Sequence, residues 1–368
     1  MQNIKFSVLI ISHNQEKYIK ETVESVLNQS YQNFEIVVSD DCSTDKTQDI
    51  VKSIEDERVK LVTTLFNVGI NGNEETGILT CTGDYIVLLG GDDRLRPEHL
   101  QQVYETIKEK NTDVVYVHLC PINEHGHYKY GKDYDFWNYQ DRTREEFLHD
   151  YFMLGNQVPS PGMTVKRESL IALLPLNLSL IPSQDYKEHV ELLLNGNNIA
   201  VLNETLVDYR QFRDSRNIST DLNGVITKRI SFETDVLMDS FLRMNDLNLI
   251  KQVFSKEIEE SGIEPFEDTI QFFLGYMAIL SRNDDKQIWG YKQISKFIST
   301  FEGFSKVKEH YNFTFKDFCE LANKVDCKQI TKFNKKAKKY KKLFITTLLS
   351  SSILILVLLA TLVIQVLS

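Results

Sequence analysis

One alternation limits the fold more than any other feature of this chain. Five apolar runs of strand length, Phe6–Ile11, Phe34–Ser39, Val59–Thr63, Tyr85–Leu89 and Val114–Leu119, are separated by segments whose apolar residues recur at helical spacing. Those segments are Lys17–Asn28, with Ile19, Val23, Val26 and Leu27 on a stripe, then a stretch that Ser43 or Thr44 can cap and that runs to Ile54, then Asn71–Thr80. A fourth lies behind Pro97 and carries Leu100, Val103, Tyr104 and Ile107. Strands this uniformly apolar are buried on both faces. The pattern predicts an α/β fold, Rossmann-like, with a mostly parallel sheet and helices on both faces. Sheets of this kind bind ligands beyond the carboxyl ends of their strands.

The strand ends carry unusual chemistry. FEIVVSDDCSTDKT closes the second strand on Asp40 and Asp41, YIVLLGGDDRL closes the fourth on Asp92 and Asp93, and the first ends in Ser12, His13 and Asn14. A single Asp after a strand is an ordinary turn former. Two acidic pairs delivered to one sheet edge repel unless a cation or hydrogen-bond donors compensate. A hard divalent ion, Mg²⁺ or Mn²⁺, shared with substrate phosphates is the natural compensator. Gly90 and Gly91 leave room for a ligand near the backbone.

The stretch SVLIISHNQEKYIKETVESVLNQSYQNFEIVVSDDCSTDKT, followed by NVGINGNEETGILTCTGDYIVLLGGDD and more loosely by SQDYKEHVELLLNG, resembles family 2 glycosyltransferases of the GT-A fold. The resemblance spans roughly residues 5 to 215. It implies transfer of a sugar from a nucleotide-diphosphate donor with inversion at the anomeric carbon. By the same resemblance Ser12, His13 and Asn14 lie at the donor nucleotide, and Asp41 accepts from the base, which favours a UDP-sugar. Asp40 supports the loop. Asp93 is the implied metal ligand and Asp92 a ribose or supporting contact. Asp185, in the first turn of a helix that Ser183 can cap and Gly196 can stop, is the implied catalytic base, since an acceptor hydroxyl must lose its proton during attack.

The chain departs from the pattern in four places. Gly90 stands where an acid usually precedes the Asp pair, and NGNEETG lacks the usual Arg near the diphosphate. Gln184 replaces the first member of the usual Glu-Asp pair, and Phe212 replaces a His, with Arg210, Arg213 and Arg216 nearby as candidates to cover the diphosphate or to form a solvated loop. The absent acid keeps an alternative open: a catalytically silent GT-A protein that binds sugar nucleotides or scaffolds a polysaccharide assembly.

The formal net charge of −10 argues against a nucleic-acid partner. Five scattered cysteines without a C-x-x-C pair read as reduced thiols, and the N-terminus has no secretory pattern. His125 and His127, two apart around Gly126, read as a hairpin turn rather than as zinc ligands. From Leu343 to Ser368 there is no charged residue, and six lysines precede it between Lys335 and Lys342. A helix over 343–367 would be roughly 37 Å long, enough to cross a bilayer. The expected organisation is a GT-A domain at 1–220, a helical region at 221–330 open to self-association, a polybasic linker at 331–342 and a transmembrane helix at 343–367. Lysines beside a span favour the cytoplasmic side. The expectation is therefore a single-pass inner-membrane protein with its catalytic part in the cytoplasm, acting on a membrane-associated glycan or lipid-linked oligosaccharide in capsule- or O-antigen-type synthesis.

Overall fold

The computed structural model describes residues 3–132, 139–212, 224–325 and 339. Its strands are β1 (Phe6–Ser12), β2 (Phe34–Asp40), β3 (Val59–Thr63), β4 (Tyr85–Gly90), β5 (Arg94–Leu95), β6 (Val114–Ile122), β7 (Thr164–Lys166) and β8 (Ile199–Arg210). They form one sheet in the order β3-β2-β1-β4-β7-β6-β8-β5. Six run the same way, while β7 and β5 are antiparallel to their neighbours.

The helices before the last third are α1 (Ile19–Leu27), α2 (Thr47–Lys52), α3 (Gly69–Thr80), α4 (His99–Lys110), α5 (Arg144–Met153), α6 (Arg167–Ile171) and α7 (Gln184–Leu194). Then come α8 (Val225–Asp239), α9 (Leu247–Val253), α10 (Ser255–Ser261), α11 (Ile270–Leu280), α12 (Asp284–Phe297), α13 (Phe301–Tyr311) and α14 (Phe315–Leu321).

Side chains alternate between the faces of a strand, and here both faces are covered. Phe6, Val8 and Ile10 of β1, with Ile36, Val38, Val87 and Leu89, pack against Val23 and Val26 of α1 and Leu100 and Val103 of α4. Leu9, Val37, Ile86 and Leu88 face the other way. They join a second core that runs through Phe147, Tyr151 and Val190 to Phe241, Phe254, Phe273 and Trp289. Helices α8 to α12 thus share a core with the sheet, and residues Met1–Tyr311 form one compact unit. Asn312–Ser368 is a separate unit, in which Thr314 caps α14 through a reciprocal capping box with Asp317.

The two expected serine and threonine caps are not made. Asp45, not Ser43 or Thr44, accepts the first free N–H of α2, from Thr47 at 2.9 Å. Ser183 makes no side-chain cap on α7, and its own N–H donates to Glu233 of α8 at 3.1 Å. Gly196 does stop α7, at φ +86°. The turn through His125 and His127 is a hairpin: Asn123 N–H donates to His127 O at 2.8 Å, and Gly126 takes φ +80°. Among the described residues no helix is long and apolar enough to cross a membrane, and the stretch 343–367 lies outside them.

Candidate active site

The carboxyl ends of β1, β2 and β4, the first turns of α3 and α7 and the loop 156–161 enclose a cleft of about 640 Å³. Ser12, His13, Asp41, Asp92, Asp93 and Asp185 all line it. Asn14 does not. It takes φ +54°, and its Oδ1 accepts from Thr44 N at 2.8 Å, so it ties the loop after β1 to the loop after β2.

The neighbours Asp40 and Asp41 are used differently. Asp40 is fully buried and accepts from Ser43 N at 2.9 Å and Gln48 Nε2 at 2.8 Å, which fixes the loop. Asp41 accepts from Thr64 Oγ1 at 2.9 Å and from the N–H groups of Val68 and Gly69 at 2.8 and 2.9 Å. Its carboxylate therefore meets the positive end of α3 and anchors that helix at the cleft wall. Gly77 lets α3 lie close to β1, since a Cβ there would sit 2.3 Å from Leu9 Cδ1. His13 is exposed, and its Nδ1 donates to Asp41 O at 2.8 Å. Ser12 is buried, and its Oγ has no partner among the described residues.

Asp92 and Asp93 converge over Gly90. A Cβ on Gly90 would lie 3.0 Å from Asp93 Oδ2 and 3.1 Å from Asp92 Oδ1, so the glycine leaves open the space these oxygens face. Burial pushes Asp92 up to about 6. Burial, with the charge of Asp92 added, pushes Asp93 well above the usual carboxylate range. Arg210 N donates to Asp93 Oδ1 at 2.8 Å. Two hard oxygen ligands in mutual repulsion fit a divalent cation that draws its remaining ligands from phosphates and water. Among the described residues no group of three or more His, Cys, Asp or Glu is placed to hold an ion.

Arg210 does not face a ligand. It is 1% exposed, and its guanidinium donates to Asp92 O at 2.7 Å, to Asn123 O and Glu124 O at 3.1 and 3.2 Å, and to Glu21 at 2.6 Å, while lying over the ring of Tyr18. It buttresses the acidic turn from behind. Phe212 packs its ring on Tyr18 as well. Arg213 and Arg216 lie outside the described residues.

Asp185 enters from the opposite wall. Its Oδ1 accepts from Tyr186 N at 2.7 Å, and burial pushes it up to about 6, with Asn156 opposing as a donor. The segment before it is held by α8: both oxygens of Glu233 accept, from Ile181 N and Ser183 N, at 3.1 Å each. The loop 156–161 is held by His189, whose Nε2 donates to Val158 O at 3.0 Å while its Nδ1 accepts from Tyr116 at 2.8 Å. Burial lowers His189 to about 3, so it is neutral.

The sequence reading missed two acids. Glu74 of α3 lines the cleft, and Glu188 of α7 stands one turn beyond Asp185. The i, i+3 spacing of Asp185 and Glu188 was the available signal, because it puts both on one helix face.

The profile of Glycosyl transferase family 2 matches residues 7–172. A putative teichuronic acid biosynthesis glycosyltransferase of Bacillus subtilis, TuaG, is 27% identical over 211 residues, covering 57% of this chain and 80% of its own. The poly(ribitol-phosphate) beta-N-acetylglucosaminyltransferase TarS of Staphylococcus aureus is 32% identical over 127 residues, 33% of this chain and 22% of its own. The crystal structure of TarS residues 1–349 with UDP-GlcNAc superposes with a TM-score of 0.55 at 18% identity, over 84% of this chain and 92% of that one, a likeness of fold.

Proposed function

The chain belongs to glycosyl transferase family 2 and is a glycosyltransferase, and from that premise we propose that it moves a sugar from a nucleoside-diphosphate donor, a UDP-sugar by preference, to a hydroxyl of a surface-polysaccharide acceptor, with inversion. The observation that carries the reading is that Asp41, Asp92, Asp93 and Asp185, drawn from three separate parts of the fold, open into one cleft.

Asp41 and Ser12 bind the nucleotide, and His13 offers an exposed ring beside them. Asp92 and Asp93 would hold Mg²⁺ or Mn²⁺, which when bound supplies Lewis-acid stabilisation of the leaving diphosphate. Asp185 accepts the proton of the acceptor hydroxyl as the bond to the anomeric carbon forms. With its carboxyl pushed up to about 6, it is a stronger base than a free aspartate and still ionised at neutral pH. Attack from the Asp185 side, opposite the diphosphate, inverts the anomeric centre.

The acceptor is a glycan at the cytoplasmic face of a membrane. The uncharged run from Leu343 to Ser368 behind six lysines supports that location. TuaG, named for teichuronic acid biosynthesis, and TarS, named for transfer to poly(ribitol-phosphate), support the acceptor class.

The test is detergent-extracted full-length protein with Mn²⁺ and a panel of nucleotide sugars. One donor should be hydrolysed slowly without acceptor, and the Asp185→Asn variant should bind that donor without turning it over. A variant with near-normal turnover would sink the base assignment, and loss of donor binding on Asp41→Asn with thermal unfolding unchanged would support the nucleotide's place beside Asp41.

A further inference from the structure

We infer that Glu74 contacts the hydroxyls of the sugar being transferred and sets which donor sugar the cleft accepts, with Glu188 as its buried partner. The inference rests on the donor reading above and extends it to a residue that no strand end supplies.

Glu74 is 5% exposed, yet it lines the cleft. It lies on α3 one turn beyond Ile70, which also lines the cleft, and Asp41 holds the N-terminus of that helix. Its other neighbours are the acids of α7: Asp185, whose charge acts on it, and Glu188. It therefore stands between the helix end held by Asp41 and the acids of α7. No cation offsets it. Glu74 Oε1 and Glu188 Oε1 are both buried and find no donor among the described residues. A buried acceptor left without a donor is costly, so these oxygens call for a proton held between the two carboxyls and for a donor entering from the cleft.

The pairing with Glu188 solves a problem of charge. An ionised Glu74 would repel the incoming diphosphate. Two carboxyls in contact share a proton, as coupled acid pairs do, so the pair carries one negative charge rather than two, the proton lies between them, and Glu74 turns only acceptor capacity toward the cleft. Burial and the charge of Asp185 push Glu74 up to about 7, in keeping with a retained proton. An acceptor of this kind suits a sugar hydroxyl, which donates to it. A site built to hydrogen-bond a hydroxyl rejects the analogue that lacks it or turns it away.

The experiment measures binding, so it does not depend on turnover. Full-length protein, Glu74→Ala and Glu74→Gln are titrated calorimetrically with UDP, GDP and dTDP and with their glucose, galactose and N-acetylglucosamine esters. A single cooperative thermal transition that begins no lower than that of wild type verifies each variant's fold, and Glu74→Gln, equal in size, stands in if the alanine variant unfolds. The expected result is that the preferred bare nucleotide binds within twofold of wild type, while the preferred sugar ester loses about tenfold and the three sugars become nearly equal. If both variants weaken nucleotide and sugar ester alike, or leave sugar preference intact, Glu74 is a packing residue and the inference falls. If wild type binds no nucleotide, the donor reading itself falls and takes this inference with it. If wild type binds a nucleotide but gains nothing from any sugar, only this inference falls.

Discussion

Glu35 and Glu74 are the same residue type, 3% and 5% exposed, at opposite edges of one sheet. Glu35 lies at the amino edge of β2. It accepts from Ser7 Oγ at 2.7 Å, Thr82 N at 2.6 Å, Thr82 Oγ1 at 2.8 Å and Lys60 Nζ at 2.8 Å, and Lys5 is 3.3 Å away. Burial alone would raise its pKa, but those donors hold it well below the usual carboxylate range. Glu74, at the carboxyl edge, has acids for neighbours and is pushed up to about 7. Burial of an acid is thus not the mark of function. What separates these two is the company each keeps: donors and lysines at the amino edge, other acids at the edge where parallel sheets bind ligands.

Four changes break or sharpen that contrast. The largest effect is on catalysis: Asp185→Asn should lower turnover roughly 10²–10⁴-fold while donor affinity, read by calorimetry, stays within a few-fold. Next, Glu35→Ala strands several donors at the structural edge and should cost roughly 2–4 kcal/mol, read as a lower urea midpoint with unchanged slope. An effect below about 0.5 kcal/mol would show that the network is only decoration on a solvated edge.

Third, activity should fall about tenfold per pH unit below about 6 as Asp185 takes up a proton, so a profile flat from pH 7 to 5 would contradict its role as base. The smallest effect separates the two edges by sign. Glu74 has a raised folded value, so its proton is retained by the native state between the unfolded value of about 4.3 and about 7, and stability drains away as pH rises through that window. Glu74→Gln should therefore raise Tm by roughly 1–3 °C at pH 8 and by little at pH 4. Glu35, with a depressed value, contributes above its unfolded value and loses that contribution as pH falls. A Tm difference for Glu74→Gln that ignores pH would mean the carboxyl is not held protonated.

The helices after residue 224 bear on the same contrast. Lys286 of α12 is 2% exposed and donates to Tyr151 O, Phe152 O and Tyr186 Oη at 2.8, 2.6 and 3.1 Å. Burial lowers it to about 7, but three acceptors meet it, as donors meet Glu35. With Glu233 it ties this region to both ends of the catalytic wall, so the region serves the site from behind.

Several things could be read from the chain directly. The runs β1, β2, β4 and β6 were legible because strands buried on both faces carry little polar alternation, and β3, an edge strand with no buried residue, by its short apolar run alone. The acids at their carboxyl ends were legible because a parallel sheet sends every such end to one edge. The elements β5, β7 and β8 were not. Two are only two and three residues long, and β8 carries Asn203, Glu204 and Thr205 where its register with β6 shifts, so no local pattern marks them. By the family resemblance Arg210 was a candidate to cover the diphosphate or to lie in a solvated loop, and only the packing of β8 behind Asp92 turns it inward. The sequence reading did not single out Glu74 or Glu188, and their proximity appears only where α3 and α7 meet. Sequence determines where carboxylates leave strands, since that depends on local periodicity. Which of them lack donors depends on what distant helices bring against them, and that only the tertiary structure decides.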